Sequence, residues 1–247
     1  MPLDSPLPDI ADRVRALNAR FQGHGALSVL SHALSDPFVG RSALVSSFGA
    51  ESVVLLHMVS LIDTSLPVLF IDTELLFEQT MAYQASLAAH LGLTGVKTVR
   101  APRARLFERD PDDMLHHYDP DACCTLRKIE PLANALSGFD AWITGRKRYQ
   151  GGQRQDIPFF EAESGKRIKV NPLAHWTPER ISDHITQNDL PRHPLIPRGY
   201  PSIGCAPCTS RVSVGEDVRA GRWRNTEKIE CGIHFGPSGA TREATAA

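Results

Sequence analysis

The chain has 247 residues, of which 42% are hydrophobic and 22% are charged, and its 27 basic and 28 acidic side chains leave a formal net charge of −1. This is the composition of a globular protein with a substantial core, and the balanced charge argues against a general nucleic-acid-binding protein. No stretch approaches the roughly 18 apolar residues of a membrane span, and the start lacks a basic region followed by an apolar run. We therefore expect a soluble, cytoplasmic protein without a membrane partner.

Helical and strand patterns alternate along the chain as far as Pro191. Apolar periodicity predicts helices over residues 10–22, 26–34, 51–62, 75–91, 123–136 and 178–188. Short apolar runs predict strands over residues 43–47, 66–73, 96–99, 141–144 and 167–170. This alternation predicts an α/β fold with a doubly wound, mostly parallel sheet.

The segment SSFGAES, residues 46–52, joins a predicted strand to a predicted helix. Backbone N–H groups and hydroxyls at a helix N-terminus can bind an anion, which makes Ser46, Ser47, Gly49 and Ser52 candidate phosphate ligands. The Gly-Lys-Ser/Thr ending of a Walker loop is missing, and a plain strand–helix turn remains an alternative interpretation. Ligands of such sheets bind at the carboxyl ends of the strands, where IDTE and TGRKR also lie.

Four of the five cysteines form two pairs, the adjacent Cys123 and Cys124 and the Cys-x-x-Cys of Cys205 and Cys208. Adjacent residues on a helix point about 100° apart, so that pair is poorly placed to hold one small zinc ion. A 4Fe-4S cluster is larger and offers a separate iron to each thiolate. The pairs therefore favour a cluster, with four unligated thiols as the alternative.

Basic residues accompany the adjacent pair. If residues 123–128 are helical, Arg127 lies four positions after Cys123, and Lys128 lies four positions after Cys124. A four-thiolate cluster carries net negative charge, so cations on this side of the helix would tune it or link it to an anionic substrate.

The fifth cysteine, Cys231, lies in the polar segment ECGIH, downstream of Arg219, Arg222 and Arg224. Nearby positive charge lowers the pKa of a thiol and can make it a nucleophile. An exposed, inert thiol is the alternative interpretation.

Together, the segments SSFGAES, FIDTE, CCTLRKIEPL, TGRKRYQGGQR, GCAPCT and ECGIH resemble, in this order, the iron–sulfur type of assimilatory adenylyl-sulfate reductase. The resemblance extends over about residues 43–234 and implies an adenine nucleotide α-hydrolase-like fold with a PP-loop at residues 46–52. We divide the chain into an N-terminal helical segment (1–40), an α/β nucleotide-binding and cluster domain (41–200) and a mobile catalytic tail (201–247).

The resemblance also implies a role for individual residues. The substrate-binding residues would be Ser46, Ser47, Gly49, Ser52, Phe70, Asp72, Gly145 and Arg154. The catalytic residues would be Cys231, Lys128, Arg219 and Arg222. The cluster ligands would be Cys123, Cys124, Cys205 and Cys208. For Asp72, a plain capping role remains an alternative.

The reaction implied by the resemblance is the thioredoxin-dependent reduction of adenylyl sulfate to sulfite and AMP, in sulfate assimilation and cysteine biosynthesis. The Cys231 thiolate would attack the sulfate sulfur and form a cysteine S-sulfonate. Thioredoxin or a glutaredoxin-like thiol would then release sulfite. No nucleic-acid partner is implied, and the oligomeric state is left open, with a homo-oligomer among the alternatives.

Some residues depart from related loops. Phe48 and Glu51 stand where ATP-cleaving PP-loops have glycine and aspartate, which weakens an assignment to ATP chemistry. Three alternatives remain: a reductase of phosphoadenylyl sulfate or of both nucleotides, a PP-loop ATPase of the tRNA-thiolation type, and a zinc-binding interaction module. We interpret His116 and His117 as surface residues and His175 as a packed loop histidine rather than a base.

Overall fold

The structure, a computed structural model, describes residues 7–163, 165–224, 226, 228 and 230–234, except for the side chain of Gln153. This part of the chain contains a sheet of six strands in the order β3-β2-β1-β4-β6-β5. The strands are β1 (Ser42–Ser46), β2 (Val68–Ile71), β3 (Val96–Val99), β4 (Ala141–Ile143), β5 (Phe160–Glu163) and β6 (Arg167–Val170).

Helices connect most of the strands. They are α1 (Ile10–Phe21), α2 (Ala26–Ser35), α3 (Ser52–Ser60), α4 (Glu78–His90), α5 (Arg103–Arg109), α6 (Leu115–Tyr118), α7 (Pro120–Cys124), α8 (Glu130–Ala135) and α9 (Pro178–Gln187). A π-helical turn, Thr125–Ile129, joins α7 to α8. None of the described helices has the length and apolar character that a membrane crossing requires.

Apolar side chains cover both faces of the sheet. Along β2, Val68 and Phe70 belong to the main hydrophobic cluster, which includes the buried face of α3. Leu69, from the same strand, belongs to a second cluster that includes Leu132 of α8. Because successive side chains of a strand point to opposite faces, the sheet lies between two layers. The strands run parallel except for the β5–β6 pair, which confirms the predicted doubly wound α/β fold.

The strand order places a crevice beside β1. From β1 the chain continues to β2 and β3 on one side of the sheet and later returns to β4 on the other side. Leu44 of β1 is paired with Val68 on one side and with Ile143 on the other. Ligands of open α/β sheets bind at such a reversal of strand order, outside the carboxyl ends of the strands.

The first helices pack onto the same core. Leu17 and Phe21 of α1 are buried in the main cluster. The side-chain amide of Asn18 donates to the carbonyl oxygen of Phe160 at 2.8 Å and accepts from its backbone N–H at 3.0 Å. These bonds join α1 to β5, an edge strand that the sequence patterns do not predict.

Candidate active site

A cavity of about 520 Å³ lies at the carboxyl ends of β1 and β4. Of the residues predicted to bind substrate, its wall contains Ser46, Ser47, Gly49, Ser52, Gly145 and Arg154. Of those predicted to act in catalysis, it contains Cys231, Lys128, Arg219 and Arg222. The fold thus gathers the loop after β1, the loop after β4 and the C-terminal tail around one space.

The loop after β1 is held in shape by its own side chains. The hydroxyl of Ser46 accepts from the backbone N–H of Phe48 at 3.2 Å, and the hydroxyl of Ser52 accepts from that of Gly49 at 3.0 Å. Phe48 has a φ of 48°, a left-handed conformation that costs energy for a bulky residue. Its buried ring packs edge-on against Phe70, with the ring centroids 5.4 Å apart. Core packing therefore anchors the loop.

This packing corrects the prediction for Phe70. Its side chain is fully buried in the main cluster and does not line the cavity. Because side chains alternate along β2, Ile71 and Thr73 face the cavity instead.

Asp72 adopts the capping role that was left open as an alternative, and its contact with substrate stays a prediction. One oxygen of its carboxylate accepts from the side chain of Arg100 at 2.8 Å. The other accepts from the backbone N–H of Glu74 at 2.9 Å. Asp72 therefore stabilises the turn after β2 and is absent from the cavity wall.

Glu51, at the end of the loop after β1, is engaged by two residues that follow β4. Its carboxylate lies 2.8 Å from the ammonium of Lys147 and accepts from the Tyr149 hydroxyl at 2.6 Å. Burial alone would raise the pKa of Glu51, but the charge and hydrogen bond of Lys147 and the bond from Tyr149 outweigh it, so the pKa lies below its usual value. Sequence reasoning did not single out Lys147, although the basic segment TGRKR was a signal.

The C-terminal tail brings Cys231 to the cavity together with its neighbour Glu230. The Glu230 carboxylate lies 2.7 Å from the guanidinium of Arg154 and 3.3 Å from that of Arg219. Sequence reasoning missed Glu230, because the pattern ECGIH gives no indication of where its carboxylate points.

Arg222 occupies a restricted position beside the Cys-x-x-Cys segment. Its guanidinium lies 4.4 Å from the ring centroid of Trp223 and donates to the carbonyl oxygen of Ile203 at 3.4 Å. A Cβ atom on Gly204 would come within 2.2 Å of this guanidinium. A side chain at position 204 would therefore force the Arg222 guanidinium to move.

The four paired cysteines line a second, smaller cavity. Cys123, Cys124 and Cys205 are buried, and Cys208 is half-buried. His116, which is half-buried, also lines this cavity.

The α-helix predicted over residues 123–136 is interrupted by the π-helical turn directly after Cys124. Within this turn the guanidinium of Arg127 forms buried bonds to the carboxylate of Asp110 at 2.6 and 3.0 Å. It also donates to the carbonyl oxygen of Thr73 at 2.9 Å. Arg127 therefore fixes the cysteine-bearing segment to β2 and α5.

The donor set of this second cavity fits a metal cluster by its chemistry. Burial raises the pKa of Cys123 to about 12, and the neighbouring thiols Cys124, Cys205 and Cys208 add to the shift. The four sulfurs are thus close enough to interact, and a bound metal would remove their protons. Beside this cavity, the backbone N–H of Trp223 donates to the Cys208 carbonyl at 3.1 Å. The indole N–H of Trp223 is buried and has no hydrogen-bond partner among the described residues.

Among the described residues, no group of three or more histidine, cysteine, aspartate or glutamate side chains surrounds one metal position.

Lys128 lies where the two cavities meet, since it lines both of them. Burial alone would lower the pKa of Lys128, but the thiolate charges of Cys205, Cys124 and Cys231 raise it above its usual value. The ammonium therefore remains charged between the cysteine cavity and the nucleophile candidate.

The chain is similar to known proteins over most of its length. Residues 41–211 match the family model described as the phosphoadenosine phosphosulfate reductase domain. A Mesorhizobium japonicum protein named adenosine 5'-phosphosulfate reductase is 45% identical over 226 residues, which are 92% of this chain and 89% of the relative. A protein of the same name from Chelativorans sp. is 48% identical over 221 residues, 89% of each chain.

The chain is also similar to solved structures. The Candida auris phosphoadenylyl-sulfate reductase in its phosphate complex aligns with a TM-score of 0.67 at 28% identity, over 81% of this chain and 96% of that chain. FMN adenylyltransferase from Candida glabrata, at 13% identity and a TM-score of 0.54 over 85% of this chain and 79% of that chain, shares the fold alone. The extent of the family match and the identity to full-length relatives show that this chain belongs to the phosphoadenosine phosphosulfate reductase family.

Proposed function

We propose that the protein reduces adenylyl sulfate to sulfite and AMP, with Cys231 as the nucleophile and a thioredoxin-type dithiol as the reductant. The observation that carries this proposal is that Cys231 lines the same cavity as the loop after β1 and the three arginines Arg154, Arg219 and Arg222. The relatives named adenosine 5'-phosphosulfate reductase, at 45% and 48% identity, support this substrate.

The charges around the cavity suit a sulfonucleotide. A thiolate that approaches a phosphosulfate meets like charge, and the departing AMP carries a further negative charge. Guanidinium groups and the buried ammonium of Lys128 offset both, and they act strongly because they are fixed in a partly buried site. The N–H groups and hydroxyls of the loop after β1 supply further donors for the phosphosulfate.

The first half-reaction transfers the sulfonate group. The Cys231 thiolate forms a bond to the sulfate sulfur, and the bond from this sulfur to the bridging oxygen breaks. AMP leaves with the electron pair, and Cys231 becomes an S-sulfonate.

The second half-reaction regenerates the thiolate. A thiolate of the dithiol reductant attacks Sγ of Cys231, and sulfite leaves with the electron pair of the sulfur–sulfur bond. The second thiol of the reductant then breaks the mixed disulfide, so the reductant is oxidised by two electrons. Cys205 lines both cavities, but it and the other three paired cysteines are assigned below to a cluster, so we assign the resolving thiol to the reductant rather than to this chain.

We further propose that Cys123, Cys124, Cys205 and Cys208 hold a 4Fe-4S cluster. The cluster would supply fixed negative charge and would cross-link the helix α7 to the Cys-x-x-Cys segment. Lys128 would lie between it and the substrate.

The enzyme would act in sulfate assimilation, upstream of cysteine biosynthesis. We infer a cytoplasmic location from the reducing conditions that a free nucleophilic thiol and a thioredoxin partner require.

Steady-state sulfite release tests the proposal. Anaerobic protein is supplied with thioredoxin, thioredoxin reductase and NADPH, and with either adenylyl sulfate or phosphoadenylyl sulfate. We expect sulfite from adenylyl sulfate at a clearly higher kcat/KM, and none from the Cys231→Ser variant. A preference for phosphoadenylyl sulfate would establish the alternative substrate, and turnover by Cys231→Ser would exclude the proposed nucleophile.

A further inference from the structure

Glu230, the residue before Cys231, places a negative charge inside the cavity proposed to bind an anionic substrate. Its side chain is largely buried, and both carboxylate oxygens contact Arg154, at 2.7 and 2.8 Å. The Arg219 guanidinium lies 3.3 Å from one of these oxygens. Two of the three arginines proposed to bind the substrate's anionic groups are thus engaged by a carboxylate of the tail.

The contacts of Glu230 compete with those of a substrate anion. Both carboxylate oxygens of Glu230 lie against Nη2 of Arg154, whereas Nη1 donates to the side chain of Gln150 and the buried Nε has no hydrogen-bond partner among the described residues. A carboxylate and a phosphosulfate that contact the same guanidinium groups also repel each other, most strongly in a partly buried site. An anion that uses Nη2 of Arg154 and the guanidinium of Arg219 therefore displaces Glu230.

We infer that the Glu230 carboxylate occupies the site formed by Arg154 and Arg219 in the free protein. The anionic group of the substrate displaces this carboxylate, and the displacement frees the segment that bears Cys231. The inference rests on the proposed function, because it assigns the same arginines to the sulfonucleotide. Binding energy of the substrate's anionic group would thereby be used to release the residue next to the nucleophile.

A second ion pair of the tail limits how far the segment moves when Glu230 leaves the arginines. The ammonium of Lys228, three residues before Cys231, is paired with the carboxylate of Asp121 in α7. Its ammonium also lies 5.9 Å from the ring centroid of Trp223, the ring on which the Arg222 guanidinium packs. When Glu230 leaves the arginines, the tail remains attached at Lys228. The nucleophile then moves without losing its position beside the cavity.

The inference predicts a specific gain of affinity. Glu230→Gln removes the competing charge but keeps the side-chain shape, so a larger fraction of molecules presents open arginines. We expect the Kd for AMP to fall about tenfold in this variant. The Kd for adenosine, which lacks an anionic group, should be unchanged.

Isothermal titration of the iron-loaded protein with AMP and with adenosine makes this comparison. The matched control is Glu216→Gln, which removes another tail carboxylate, one paired with Arg224 at 3.0 Å on the exposed side of the tail. Its AMP affinity should equal that of the wild type. Weaker or unchanged AMP binding by Glu230→Gln would overturn the inference and make Glu230 a scaffold for the arginines.

A measurement on the wild type avoids dependence on the variant's folding. Hydrogen exchange of the tail peptide that contains Glu230 should increase when AMP is added and stay constant with adenosine. Protection by AMP would contradict the displacement. If AMP fails to bind the wild type at all, the proposed function fails together with the inference, whereas AMP binding without the predicted changes defeats the inference alone.

Discussion

The hydroxyl oxygen of Thr73 lies 3.2 Å from the sulfur of Cys205 and joins the end of β2 to the Cys-x-x-Cys segment. Thr73, Cys205 and Lys128 line both the nucleotide cavity and the cysteine cavity. The two cavities therefore share a wall, and a change in this wall should affect both.

Thr73→Val tests the hydroxyl at this wall. The substitution keeps the branched shape but removes the hydrogen bond to Cys205, which orients a proposed cluster ligand. We expect either sulfite release about tenfold slower than in the wild type or loss of the cluster in air about tenfold faster. The decay of visible absorbance in air, measured beside sulfite release, reports both. Thr186→Val removes a hydroxyl that bonds to the carbonyl of Ser182 on exposed α9, and it should match the wild type. Equal decay in the two variants would exclude the role of Thr73.

Lys128→Met tests the ammonium between the cavities. Methionine retains much of the side-chain volume but removes the charge that faces substrate and thiolates. We expect kcat/KM to fall by roughly 10²- to 10³-fold, as for the loss of a fixed electrostatic donor. Iron content should stay near the wild-type value. Wild-type kinetics in this variant would show that Lys128 does not act on the substrate.

Arg127→Met should instead act on stability. It leaves the fully buried carboxylate of Asp110 without its cation, and breaking a buried ion pair in this way costs about 3–5 kcal/mol. Denaturant unfolding measures this cost. Arg105→Met breaks an exposed pair with Glu108 and should cost less than about 1 kcal/mol. A similar cost for both variants would contradict the structural role of Arg127.

His193 predicts how stability depends on pH. Its buried ring contacts the Thr80 hydroxyl at 3.1 Å and accepts from the backbone N–H of Leu195 at 3.2 Å, and burial lowers its pKa to about 4. In the unfolded chain the imidazole titrates near its ordinary value of about 6.5. Protons therefore bind the unfolded state first, so stability is complete above about pH 6.5 and is lost as the pH falls toward 4.

Between pH 7.5 and pH 5 this group should cost the wild type about 2 kcal/mol of unfolding free energy. The difference is measured by denaturant unfolding at the two pH values. Between these pH values, the unfolding free energy of His193→Gln should fall by about 2 kcal/mol less than that of the wild type. The unfolding free energy of His117→Gln, which changes a surface residue, should fall as much as that of the wild type. Parallel losses in all three proteins would contradict the assignment.

Much of the fold follows from sequence patterns. Buried runs such as LPVLFIDT and amphipathic segments such as residues 10–22 gave the correct element types, and their alternation gave the parallel sheet. The edge strand β5, with the sequence FEAE, was missed because a short strand rich in charge has no distinct periodicity. The π-helical turn after Cys124 was missed because its hydrogen-bond pattern does not change the composition.

The sequence predicted which residues belong to the candidate site better than it predicted where their side chains point. The cysteine pairs were placed together from ligand chemistry and the resemblance. Phe70 and Asp72 were assigned to the cavity because they lie at a strand end, but the pleat of β2 turns them away from it. The contacts of Glu230 depend on how the tail folds back onto the loop after β4, which sequence spacing cannot specify.

The mass spectrum of the Cys231 peptide shows whether this thiol receives the sulfonate group. Anaerobic protein is incubated with adenylyl sulfate in the absence of thioredoxin, then digested. We expect a sulfonate adduct on Cys231, released as sulfite when thioredoxin is added. An unmodified Cys231 in protein that retains its iron and binds the nucleotide would exclude Cys231 as the nucleophile.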